Sequence, residues 1–445
     1  MAEAFVRNGS FALETAPQGS YRQGIDGRYY GIHEIGADVM AVPTAFVAAR
    51  ISSARSLPFE RVFGILTGLV GAAYFATTIV LLAAAGRRFG LSFDRTVSGL
   101  AALCLSSQYL VYLGSAPDVS LAAPLLAAGF LSWMRAEEGA PGGWVLCGLF
   151  AGALVSAKLT MGTFAMAAAA LAITARPFSG RVASTRIAYL VLGMIPGLLV
   201  VGWWNDLRTG SWFVAPYTPD TLGFDWRLIP RGLAGSLLSP GKGVLVFTPL
   251  LLLLSVTLVR QGVARRWPRA AWLLFGSCAL AMLEISGTAP WSGAGGWGIR
   301  YYVPWIPAFL LLILAEHQRR QARQPWRAAI GLCVVAGLVL NVAGLITNPQ
   351  YRQQLCGYVP WSWHSANVCA VAALPANLAR IVGADIPDVT AGGASEAMIW
   401  TSNRIMLWWY GIQTAGVPPV VSWCIPAALA LAVLLIWRAQ GTQES

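Results

Sequence analysis

Apolar stretches of about 17–22 residues recur along this chain, each bounded by a short segment rich in Arg, Gly and Pro. As helices, such stretches reach across roughly 30 Å of hydrocarbon, which makes a helical membrane protein the expected fold. Composition points the same way, since 56% of the residues are hydrophobic and 11% are charged. A soluble domain carries roughly a quarter charged residues. The formal charge of +12 is then explained by arginines in cytoplasmic loops, and no nucleic-acid partner is needed to account for it.

The runs predict helices over 62–85, 96–114, 118–134, 143–157, 160–175, 187–204, 243–259, 270–287, 301–316, 327–346 and 420–437. That is an all-α polytopic membrane protein with about eleven transmembrane helices. The stretch 143–175 is too long for one helix and short for two, with Lys158 near its middle. Read as two, it places the arginine clusters at 87–88, 176–186, 260–269 and 319–327 on one face. The positive-inside rule makes that face cytoplasmic, with the C-terminus cytoplasmic and the N-terminus outside.

Residues 1–35 are polar, with neither a signal peptide nor a spanning helix. Residues 36–53 are apolar but contain Gly36, Asp38 and Pro43, and predict an interfacial helix on the outer surface. The expected organisation is an outer-face segment 1–61, a ten-helix core 62–346, an outer-face loop 347–419, and a last helix with its tail at 420–445. No repeat of fixed period is visible.

Five cysteines fall inside predicted helices and read as small apolar packing residues. Cys356 and Cys369 share an outer loop, facing an oxidising compartment, and predict a disulfide worth roughly 3 kcal/mol. A metal site built on them with His364 is the alternative; it lacks C-x-x-C spacing and a clear fourth ligand, so no divalent metal is expected.

Two glycine strings resemble nucleotide loops only by letter. Gly293 to Gly298 fits G-x-G-x-x-G but follows a membrane helix, not a strand. Ser239-Pro240-Gly241-Lys242-Gly243 lacks the Ser or Thr after its lysine. Its glycines nevertheless expose amides at a predicted helix start beside Lys242, an arrangement that suits a phosphate; a lysine snorkelling to headgroups is the plainer alternative. The chain has only two lysines against twenty-nine arginines, and the other is Lys158. With Arg300, they place three cations at one membrane level on three hairpins, which suits a lipid phosphate.

The acids at that level are Asp118, Asp206 and Glu284. Asp118 follows Pro117, where it either caps its helix or serves the site. Glu284 lies between Leu283 and Ile285 and either pairs with a cation or acts as a base. His33 and Glu34 precede the interfacial helix, with His33 a candidate for substrate contact. Trp203, Trp204, Trp212, Trp291 and Trp297 also fall near this level; interfacial Trp is the default reading, and sugar stacking the alternative.

The order of these motifs resembles a known family. Asp26-Gly27-Arg28-Tyr29-Tyr30 is followed by Pro117-Asp118 and the helix-breaking Lys158. Then come N-x-L-R-x-G-S at 205–211, S-P-G-K-G at 239–243 and G-G-W-G-x-R-Y at 295–301. Together they look like the GT-C superfamily of membrane glycosyltransferases, nearest its protein O-mannosyltransferase-like and aminoarabinose-transferase-like bacterial branches, over most of residues 20–320. The resemblance implies transfer of a sugar from a polyprenyl-phosphate carrier to an acceptor on the outer face of the inner membrane, by inversion and with no resident cofactor. It implies that Lys158, Lys242 and Arg300 hold the carrier phosphate, that Asp118 arranges the site and that Tyr301 lines it. Asp206 and Arg208 belong to the same implied substrate region. An acid would activate the acceptor.

The family's principal acid follows a first transmembrane helix that is not seen here, and Met1 to Ser10 reads like the segment after it. The expectation is an upstream start or a chain that has lost that base; Glu34, Asp38, Asp118 and Glu284 are the candidates present. An O-antigen ligase or polymerase type would instead use Arg352, His364 and Arg380. A lipid-linked-sugar binder or transporter is the reading from another class.

Overall fold

The computed structural model describes residues 1–14, 21–31, 34–112, 117–174, 180–214, 223–261, 268–288, 298–319, 324–346 and 371. The helix expected at 420–437, the loop 347–419 apart from residue 371, the expected Cys356–Cys369 bridge, Arg352, His364, Arg380, His33, Trp291 and Trp297 lie outside the described residues. The chain divides into two units, one formed by Met1–Leu81, Ala116–Ile229 and Trp267–Pro290, the other by Leu82–Ser115, Pro230–Arg266 and Trp291–Ser445.

The first unit opens with a short helix α1 (Ala2–Asn8) and a hairpin of β1 (Tyr21–Gln23) and β2 (Tyr29–Gly31). The strands pair antiparallel with Arg22 opposite Tyr30. α2 (Gly36–Arg55) follows, then most of α3 (Phe59–Gly86). α6 (Pro117–Glu137), α7 (Pro141–Ala157), α8 (Gly162–Thr174), α9 (Gly180–Thr209) and α13 (Arg269–Ser286) complete it. The second unit holds α4 (Phe93–Leu105), α5 (Tyr109–Tyr112), most of α10 (Ile229–Leu238), α11 (Val244–Phe247), α12 (Leu250–Gln261), α14 (Ile306–Arg319) and α15 (Gln324–Ile346).

Among the described residues the protein is thus mostly helical. Among the described residues, α3, α6, α9, α13 and α15 are long and apolar enough to cross a membrane. α7 and α8 are shorter apolar helices. α6 is buried along nearly all its length, whereas α9 turns Val191, Leu192, Ile195 and Leu199 outward, a face suited to lipid.

The expected break in 143–175 is present. Lys158 leaves α7 in extended conformation, and a 3-10 turn over Leu159–Met161 leads into α8. The two helices run antiparallel, because Arg186 at the start of α9 lies 5.9 Å from the Trp144 ring near the start of α7 and donates to Ala172 O near the end of α8. Arg269, opening α13, pairs with Glu137 at 2.9 Å and donates to Leu171 O. One pole of this unit therefore collects Arg186, Arg269 and Glu137. Lys158 lies at the opposite pole, at the far end of α7.

Two helices expected to be continuous are interrupted. In 96–114, the Ser106 and Ser107 hydroxyls bond back to Leu103 O and Cys104 O at 2.8 Å each. Such bonds compete with helix propagation, so α4 stops at Leu105 and α5 begins at Tyr109. In 243–259, Pro249 has no N–H to donate, and the chain breaks at Thr248 between α11 and α12. The helix expected at 301–316 begins as a 3-10 segment, Arg300–Trp305. α9 runs past the expected 204 to Thr209, and the presumed loop 205–242 contains α10. The segment 36–53, expected to be helical, is so, as α2.

α7 and α9 meet backbone to backbone. A Cβ placed on Gly148 would sit 2.0 Å from Leu190 O, one on Gly193 2.1 Å from Val145 O, and one on Gly197 2.2 Å from Gly152 O. Two glycine pairs four apart, Gly148/Gly152 and Gly193/Gly197, make this possible, the small-residue packing of membrane helices. Gly197→Leu should therefore destabilise the protein by at least about 3 kcal/mol, since backbone cannot yield as a side chain does. Gly142→Ala, on α7 with open space around it, should change stability by under about 1 kcal/mol. Thermal unfolding in detergent of the two variants checks the contrast.

Candidate functional site

In the first unit Lys158 and Asp118 come together. Extended backbone at Lys158 ends α7 and aims its side chain at the first turn of α6, where Nζ lies 2.9 Å from Asp118 Oδ2. Lys158 is 5% exposed and the Asp118 side chain 33%. The contact is a charge-assisted hydrogen bond in which each side chain answers the other's charge. Glu34, half-buried, stands two residues before Gly36, where a Cβ would lie 2.6 Å from Ser156 O, close in sequence to Lys158. Glu34, Asp118 and Lys158 thus share one pole. Glu284 is exposed on the last turn of α13, and no partner approaches it among the described residues.

Arg208 is a structural tie. Buried to 4% exposure, its guanidinium donates to Trp204 O, Gly31 O and Asn205 Oδ1 at 3.1, 3.0 and 2.8 Å, and stands 5.0 Å over the Trp204 ring. It pins β2 to the end of α9. Asp206 is half-buried beside it. Gly210 then takes φ +73° and Thr209 Oγ1 accepts from Ser211 N, so the N-x-L-R-x-G-S string is accounted for as a helix end. Trp204 is fully buried, T-shaped against Tyr30 at 5.5 Å, and belongs to the core rather than to a sugar platform.

The Asp26-Gly27-Arg28-Tyr29-Tyr30 string builds the hairpin turn. Gly27 adopts φ +78°, the Arg28 amide donates to Asp26 Oδ1 at 3.1 Å, and the Tyr30 hydroxyl donates to Asp26 Oδ2 at 2.7 Å. Burial by itself raises the Asp26 carboxyl, but the Tyr30 and Arg28 bonds and the Arg28 charge more than offset it and hold the group below its ordinary value. Burial, reinforced by the Asp26 bond and charge, pushes the Tyr30 phenol up to about 12.

The second unit holds Lys242, Arg300 and Tyr301. Lys242 is 3% exposed, on the Pro240–Lys242 turn between α10 and α11. The expectation of uncovered amides there is corrected. Lys242 N and Gly243 N both donate to Ser239 O, at 3.2 and 2.6 Å, and α11 is a single turn. The turn is wound so tightly that a Cβ on Gly243 would lie 2.7 Å from Leu237 O. What the segment offers is a buried ammonium, not a helix N-terminus. Arg300 is half-buried at the head of its 3-10 segment, its guanidinium 5.6 Å from the Tyr301 ring centre. The two segments pack together through Ser236 Oγ and Tyr302 Oη at 3.3 Å, and through Phe247 against Gly298.

Sequence reasoning passed over Gln108, Thr248 and Asn341, which knit this unit's helix breaks. Asn341 Nδ2 donates to Phe247 O at 2.9 Å and Gly337 O at 2.7 Å, with Ser106 O at 3.5 Å. All three residues are fully buried. The signal was available: a Gln and an Asn inside runs read as apolar helices are costly unless answered.

No family model, no curated protein and no solved structure matches the chain.

Asp118→Asn leaves the Lys158 charge buried and should lower stability by about 2 kcal/mol, discounted for the part-exposed carboxylate. Adding Lys158→Met should recover at least half of it, in a double-mutant cycle followed by thermal unfolding. Tyr30→Phe keeps the ring on Trp204 and should cost about 1 kcal/mol. Because the folded phenol titrates high, its contribution is complete below the ordinary phenol value of 10 and is lost as the pH rises through about 12. Ultraviolet titration should show late-titrating phenol absorbance that is smaller by one group in Tyr30→Phe.

Proposed function

We propose that this protein is a multi-pass glycosyltransferase of the bacterial inner membrane. It transfers a sugar from a polyprenyl-phosphate donor to a lipid, glycan or protein acceptor on the outer face, with inversion. The observation that carries the reading is Lys242, a buried ammonium on a tight glycine turn, in the same unit as the half-buried Arg300 and in a chain with only two lysines. An ammonium and a guanidinium suit a phosphate that gains charge as the sugar leaves.

The arginine pole of the first unit faces the cytoplasm on the positive-inside rule, which turns the Asp118–Lys158 pole outward in an eleven-crossing topology with a cytoplasmic C-terminus. In the reaction the acceptor's oxygen or nitrogen bonds to the anomeric carbon while the carbon–oxygen bond to phosphate breaks. The acceptor proton goes to a carboxylate. Asp118, Glu284 and Glu34 are the candidate carboxylates. Tyr301 lines the phosphate side beside Arg300.

The engagement of Asp118 also favours a second reading, a lipid-linked-sugar binder without turnover. Purified protein in nanodiscs, given decaprenyl phosphate and a decaprenyl-phosphate sugar, separates the readings. Lys242→Ala and Arg300→Ala should each weaken decaprenyl-phosphate binding about tenfold, near 1.4 kcal/mol. Of Asp118→Asn, Glu284→Gln and Glu34→Gln, the variant that removes the base should retain binding and abolish sugar release. Binding without release in the wild type selects the binder. Binding that survives Lys242→Ala and Arg300→Ala but not Arg352→Ala or His364→Ala selects the ligase type.

A further inference from the structure

We infer that Gln108 is a positioning residue, holding the Lys242-bearing and Arg300-bearing segments in register from the break between α4 and α5. The inference rests on the phosphate reading of those two cations.

Gln108 has no exposed surface and makes two bonds in different directions. Its backbone amide donates to Thr248 Oγ1 at 3.3 Å. Its side-chain Nε2 donates to Ile299 O at 3.0 Å. Thr248 closes the single turn α11, its amide donating to Val244 O at 2.8 Å, while Phe247 N donates to Gly243 O at 3.0 Å. That turn starts two residues after Lys242, so the first bond reaches the lysine through a short hydrogen-bonded link. The second is more direct. A peptide unit is planar, so the Ile299 carbonyl and the Arg300 amide turn together. A donor fixed on that carbonyl fixes the plane from which Arg300 departs.

The far side of the amide shows how close the fit is. Gly298 stands at φ +55°, and a Cβ there would lie 2.4 Å from Gln108 Oε1 and 3.3 Å from the Phe247 ring. Gln108 is wedged between the two segments, and Gly298 makes room for it. Among the described residues Oε1 accepts no hydrogen bond, a burden that a leucine or methionine of similar volume would not carry. A side chain chosen only to fill space would be apolar. The one bond that its polarity provides is the bond to Ile299 O.

The test is a double-mutant cycle on decaprenyl-phosphate binding in nanodiscs, with Gln108→Met, Arg300→Ala and the two combined. Gln108→Met should weaken binding about tenfold, and the combination should bind no more than about twofold worse than Arg300→Ala alone. Gly99→Ala, which crowds Leu314 in the same unit, serves as a control of reduced melting temperature that keeps full affinity. If Gln108→Met does not fold, Gly298→Ala, which drives Oε1 away, should give the same loss and the same non-additivity. Wild-type affinity in the Gln108→Met or Gly298→Ala protein, a loss additive with Arg300→Ala, or an equal loss in Gly99→Ala overturns the inference while the phosphate reading stands. A wild-type protein that does not bind decaprenyl phosphate, or Lys242→Ala and Arg300→Ala proteins that bind it unimpaired, overturns both.

Discussion

Inside an apolar slab, every peptide N–H and C=O that leaves a helix must find a partner within the protein, because no water is there to take its place. That constraint organises the second unit. Its helices stop at Ser106 and at Thr248, and a 3-10 segment starts at Arg300, each stop uncovering backbone groups. Asn341 and Gln108 supply the missing donors, and Thr248 the acceptor. The helix breaks and the buried amides are therefore one feature, since neither is tolerable without the other.

The first unit meets the same constraint by a different route. Its break at Lys158 is answered by charge through Asp118. The end of α9 is answered by Arg208, which takes carbonyls from its own helix and from the hairpin. The poles differ in character as a result. One is an arginine pole with Glu137, Arg186 and Arg269; the other carries the hairpin, Lys158 and the candidate acids Asp118 and Glu34.

Much of this was legible from hydrophobic periodicity alone. The runs at 62–85, 118–134, 270–287 and 327–346 are helices within a few residues, because sustained apolar length leaves a chain few alternatives. The Lys158 break was legible because only two helices over 143–175 keep the arginine clusters on one face. The breaks at Ser106 and Thr248 were not, since Ser and Thr are common inside membrane helices and only tertiary partners decide whether their hydroxyls cap or pass. The motif strings were visible as letters but misleading as chemistry: Arg208 and Asp26 satisfy neighbouring backbone, a role that depends on where β2 and Trp204 fold. Lys242 was identified from its rarity, and its burial was not deducible, because a lysine snorkelling to headgroups fits the same letters.

The glycine contact between α7 and α9 has a mechanical consequence. Where side chains separate two helices, rotamer changes absorb small displacements; here backbone bears on backbone, with Gly193 against Val145 and Gly197 against Gly152. The pair therefore moves as one stiff rail, and a push at Trp144 or Arg186 travels to its far end with little loss. The lysine thus stands where that rail ends and the three-residue link Leu159–Met161 turns the chain into α8.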